Sequence, residues 1–165
     1  MANYSTQAVV NPRLPLDDRS RAVLAWCRFE LAYPEDATDP TQLKQDLVDV
    51  GFLSQDDKED PEGRCDGLTA AHEEDGLSYL YAEEHLDSGV RLFLEWLIRR
   101  LPATYPWITV EWADTCSKMR NDGFGGGAWF ITREGTEYVH TSKWLTDQMA
   151  TFKEAQVPSR DESRA

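Results

Sequence analysis

Trp112-Ala-Asp114-Thr-Cys116-Ser-Lys118-Met-Arg120-Asn-Asp-Gly123-Phe-Gly125-Gly126-Gly127-Ala-Trp129-Phe-Ile-Thr132 is the stretch on which the reading of this chain turns. It continues a run, Ile108-Thr-Val-Glu-Trp112, in which apolar and polar residues alternate with the period of a strand, and it ends on a second strand-like run, residues 129–132. Between them lie a charged crossing and a glycine cluster. Gly123 to Ala128 loosely matches a dinucleotide-binding loop, but such a loop opens a helix, and the next segment here is a strand. A phosphate loop ending Gly-Lys-Ser/Thr is absent. The glycines therefore read as a bulge or a close approach of backbone between paired strands.

The same reading extends outward. Residues 87–101 form the clearest helix: Asp87 or Ser88 caps it, Val90, Phe93, Leu94, Leu97, Ile98 and Leu101 fall on one side, and Pro102 stops it. Before it, residues 68–73 and 77–84 flank Asp75-Gly76, the signal of a tight hairpin. After it, a third short run at 137–140 extends the sheet, and a final helix begins at Thr141 or Ser142 and carries Trp144, Leu145, Met149 and Phe152. The expected fold is α+β: a two-layer antiparallel sheet with helices on one face, in the order β-β-α-β-β-α. A helical pair precedes it. Its first helix starts near Asp17 or Asp18 and is stopped by Tyr33-Pro34, and its second runs from the Asp39-Pro40 start to Gly51. The expected division is a loose arm at 1–16, the helical segment at 17–53, an acidic linker at 54–66, the α+β domain at 67–153, and a disordered tail at 154–165.

Composition limits what such a chain does. At 165 residues it has room for a core, and six Trp help to fill one; here Trp107, Trp112, Trp129 and Trp144 read as core and sheet cover. No run approaches the roughly 20 apolar residues that span a bilayer, no secretory leader is evident, and Cys27, Cys65 and Cys116 are isolated, so a cytoplasmic protein is expected. The net charge is -13, and residues 35–87 hold 17 of the 30 acids but only three of the 17 Lys and Arg. Such a distribution opposes direct binding to nucleic acid or anionic lipid and favours a basic partner.

Three constellations carry candidate chemistry. Cys116, His140 and Asp114 supply the residue types of a nucleophile, a base and an orienting carboxylate. Lys118 and Arg120 beside the amides of Gly125, Gly126 and Gly127 form a candidate cradle for a carboxylate or phosphate. The carboxylates of Asp56, Asp57, Glu59, Asp60, Glu73, Glu74 and Asp75 form a candidate partner-binding surface. Neither a metal nor a cofactor is expected: His72, His85 and Cys65 sit apart, and no calcium loop is present.

With Trp112-Ala-Asp-Thr-Cys116-Ser-Lys, followed by Phe124-Gly-Gly-Gly-Ala-Trp-Phe-Ile-Thr132, the chain resembles a group of uncharacterised small acidic proteins carried by phages and plasmids. The likeness covers about residues 67–147, and Met119-Arg120 departs from the Lys-Pro step of that group. It implies a mobile-element accessory protein that binds and blocks host machinery, with no catalytic residues to carry over. The leading expectation is thus a non-enzymatic acidic interaction protein directed at a host nucleic-acid-handling or defence complex. The alternative is a small enzyme or anion-binding domain centred on Cys116, Lys118, Arg120, His140 and the glycines. A homodimer through a strand edge or an apolar helix face is a third.

Overall fold

The computed structural model describes residues 4–28, 30, 34–53, 68–72, 75–117 and 125–155. In chain order they form β1 (Tyr4–Leu14), α1 (Asp18–Cys27), a 3-10 turn (Pro34–Asp36), α2 (Pro40–Val50), β2 (Leu68–His72), β3 (Leu77–Ala82), α3 (Ser88–Arg100), β4 (Trp107–Cys116), β5 (Gly125–Thr132), β6 (Thr136–His140) and α4 (Thr141–Ala155). The strands make one open antiparallel sheet in the order β2-β3-β1-β4-β5-β6, and the α+β architecture is the expected one.

The expected loose arm at 1–16 is, over residues 4–14, part of the sheet. Tyr4–Leu14 is an interior strand, paired with β3 on one side and with β4 on the other, from Tyr4 opposite Cys116 to Asn11 opposite Thr109. Its inward positions are Thr6, Ala8 and Val10, all buried. Their side chains are small, so the alternation is faint in the sequence, and Pro12 lies where the pairing with β3 shifts register, one of the places a sheet tolerates proline. The large side chains that fill this layer come from the neighbouring strands and helices, including Leu80, Leu94, Ile98 and Ile108.

Nor do residues 17–53 form a unit apart from the sheet. Val23, Leu24 and Trp26 of α1 and Leu43, Leu47 and Val50 of α2 belong to the same buried cluster as α3 and the inward faces of β1, β3, β4 and β5. Each such large side chain contributes about 1.5–3 kcal/mol by leaving water. The caps are local and legible: the carboxylates of Asp17, Asp39 and Asp87 accept the amides of Ser20 (2.8 Å), Gln42 (3.1 Å) and Val90 (3.1 Å). Helix α2 ends at Gly51 in the left-handed region, where the Phe52 amide closes onto the Leu47 carbonyl at 2.8 Å. Helix α1 stops at Cys27, before the Tyr33-Pro34 signal. The linker 54–66 and the tail beyond Ala155 lie outside the described residues.

Arg133, in the β5–β6 turn, donates to the carbonyls of Leu101 (2.8 Å), Pro102 (3.2 Å) and Tyr105 (3.2 Å). It thereby satisfies the carbonyl of the α3 cap residue Leu101 and ties the loop through Tyr105 to the β5–β6 turn. The opposite face of the sheet, which includes Val9 and Phe130, faces solvent.

Candidate functional site

Strand periodicity puts Trp112, Asp114 and Cys116 on the helix-bearing face of β4, continuing the buried row of Ile108 and Val110. Asp114 stands opposite Thr6 of β1. The buried Thr6 hydroxyl lies 2.5 Å from Asp114 Oδ1 and 2.7 Å from the Glu84 carbonyl, so its single proton is shared between two acceptors. Glu84 is the one non-glycine among the described residues with positive φ, +90°, a conformation that costs energy and is held here by that hydrogen bond. His85, the next residue, brings Nδ1 to 3.9 Å from Asp114 Oδ1. The imidazole beside Asp114 is therefore that of His85, not His140.

His140 lies elsewhere. It pairs with Gly127 at the end of β6, and its ring meets the Trp112 indole edge-on at 5.2 Å and the Tyr138 ring at 5.9 Å. Cys116 is four residues beyond Trp112 along β4, about 13 Å at roughly 3.3 Å per residue, and two strands from β6. The thiol and the imidazole are not within hydrogen-bonding reach, so Asp114, Cys116 and His140 do not form a nucleophile–base–orienter set.

The glycines sit inside β5. Gly125, Gly126 and Gly127 pair with Asp114, Ala113 and Trp112, so they form part of a ladder and not a free loop of amides. A Cβ on Gly127 would collide with the Val139 carbonyl and the Trp112 indole, and one on Gly126 with the Trp112 carbonyl. The close approach of backbones is what these positions require. Lys118 and Arg120, the cations of the candidate anion cradle, lie outside the described residues. Among the described residues, no three His, Cys, Asp or Glu side chains are grouped to hold a metal ion.

The acids divide into those the fold uses and those it leaves outward. Asp39 and Asp87 cap helices. Glu35 pairs with Lys44 at 2.7 Å, and that hydrogen bond holds its carboxyl below the ordinary value. Asp46 is 1% exposed and is gripped by both nitrogens of the Arg19 fork, which raises the Arg19 pKa. This pair closes one side of an open groove of about 660 Å³ between α1 and α2, also lined by Asp18, Asp36 and Asp39. Asp75 stays exposed at the hairpin, 3.3 Å from Arg13. Asp56, Asp57, Glu59, Asp60, Glu73 and Glu74 lie outside the described residues.

One tryptophan, Trp144, departs from the reading of all four as core and sheet cover. Trp112 and Trp129 are buried and in ring contact at 5.1 Å, and Trp107 stacks on the exposed Phe130, but Trp144 projects from α4 into solvent. Periodicity marks the apolar face of α4 but carries no sign of what covers it.

No described helix is long and apolar enough to cross a membrane. Comparison with protein-family models, curated proteins and solved structures finds no match for the chain.

Proposed function

We propose that this chain is a non-enzymatic interaction protein that docks its acidic region on a basic surface of a protein partner. The observation that carries the reading is the separation of charge along the chain. Residues 35–87 hold 17 of the 30 acids and three of the 17 Lys and Arg. Two strands of this region, β2 and β3, close one edge of the sheet, while β6 closes the other and leads into α4. Carboxylates at Asp56, Asp57, Glu59, Asp60, Glu73, Glu74 and Asp75 compete with nucleic-acid phosphates for Lys and Arg on the partner. The resemblance to phage and plasmid proteins extends the proposal to a host nucleic-acid-handling or defence complex, with inhibition as the outcome.

The test is affinity capture from host extract at low and high salt, with the wild-type chain beside one in which those seven acids are changed to Lys. A partner held at low salt, released as screening increases, and lost from the reversed chain supports the reading. Capture that charge reversal leaves intact refutes it.

A further inference from the structure

Helix α4 is 15 residues long, and every side chain from Thr141 to Phe152 is exposed. An isolated helix of about 12–15 residues is marginal in water, and among the described residues α4 packs on its own chain mainly through β5 and β6. Its apolar residues nevertheless form a stripe: Trp144 and Leu145, then Gln148 and Met149 one turn on, then Phe152, and together they line a shallow groove. We infer that a second copy of this chain covers α4, with the two helices antiparallel across a two-fold axis near Gln148.

Three observations select that occupant. The stripe carries a large aromatic ring toward each end, Trp144 at one and Phe152 at the other, equally spaced about Gln148, so across a two-fold axis there Trp144 of each copy meets Phe152 of the other. Trp144 (53% exposed), Leu145 (53%), Met149 (56%) and Phe152 (64%) present on the order of 450 Å² of apolar surface, taking roughly 200 Å² for a full large side chain. A stable homodimer needs roughly 800 Å² per partner, about two thirds of it apolar, so the stripe supplies most of the requirement. Finally, the charged side chains of α4 between Thr141 and Phe152 are Lys143 and Asp147, which pair with each other at 2.9 Å and leave that stretch without net charge on a chain of net charge -13. Two copies meet there without the repulsion they would suffer across the acidic third.

The test is sedimentation of the full chain from about 1 to 100 μM, with added salt as a second axis. The expected mass rises with concentration to twice 18.8 kDa, and the dimer tightens with salt, because screening removes repulsion between acidic copies. Docking of the acidic region on its partner, read by affinity capture, weakens under the same change, so the two associations respond to salt in opposite directions. Trp144→Glu with Met149→Glu, on exposed positions outside the core, weakens the dimer about 100-fold or more with the circular dichroism retained. Should that variant lose its fold, Gln148→Cys in a Cys65→Ser, Cys116→Ser background decides: with diamide added as the oxidant that takes up the two thiol protons and two electrons, a rapid 148–148 disulfide supports the two-fold pair centred on Gln148, and its absence overturns it. The inference also fails if the wild-type chain stays monomeric at 100 μM, if the dimer ignores the α4 substitutions, or if α4 instead binds anionic vesicles or another protein as a monomer.

Discussion

The Trp112 indole occupies the space that a side chain on Gly127 would need. Gly127 stands between Trp112 of β4 and His140 of β6, and the Val139 carbonyl closes in from the same side as the indole. The glycine cluster is in this respect a packing device: it lets a buried indole lie flat over its neighbouring strand, where Trp129 and His140 meet its ring. Gly127→Ala is expected to cost about 2–3 kcal/mol in denaturant unfolding, the upper end of the usual overpacking range, because one obstacle is backbone. Adding Trp112→Leu removes the indole but not the carbonyl, so the double variant is expected to remain below wild type.

The Arg19–Asp46 pair is expected to behave asymmetrically. Arg19→Ala leaves a buried carboxylate with Gln42 at 3.5 Å as its remaining side-chain partner, and unfolding experiments should read a loss of about 2–3 kcal/mol. Asp46→Leu, which removes the buried charge and leaves the partly exposed Arg19 to water, is expected to cost less. Equal losses would place the value of the pair in the attraction itself and not in the desolvated acid.

Thr6→Val keeps the shape of the buried side chain but removes the only proton that the Glu84 carbonyl and Asp114 share. A loss of about 1–3 kcal/mol is expected, with faster amide exchange around Glu84 as the strained backbone is released.

Asp17 gives the expected pH dependence. Burial pushes its pKa up, but the hydroxyl and amide of Ser20 together with Arg100 outweigh burial and hold the carboxyl below the ordinary 3.8. A depressed folded-state pKa means the contribution is complete above the unfolded value and is lost as pH falls through the lower folded value. Thermal unfolding followed from about pH 6 downward should show wild type losing more stability at the acid end than Asp17→Asn, which keeps a capping oxygen without the charge.

How much of this fold is legible in the sequence depends on whether the signal is local. Helices α2 and α3 carry their own caps at Asp39 and Asp87 and their own apolar stripes, so their bounds are close to those the sequence implies. Strand β1 carries no such signal, because Thr6 and Ala8 are buried by virtue of what β3 and β4 bring to them. Asp114 does belong to a polar cluster, as its residue type suggests, but its partners Thr6 and His85 are joined to it only by the strand order, and no spacing in the sequence records that. Trp144 shows the limit from the other side: a 3.6-residue period says that a face is apolar and nothing about who shares it.

The placement of β1 also sets a timetable. Thr6 is separated by 78 residues from Glu84 and by 108 from Asp114, the two groups that satisfy its hydroxyl. At about 5–20 residues per second, a nascent β1 waits roughly 3–13 s for β3 to cover one of its edges and roughly 5–20 s for β4 to cover the other. Strand β1 is thus made well before either of the strands that complete it, and during that interval its unpaired edges are open to chaperones and to other unfinished chains.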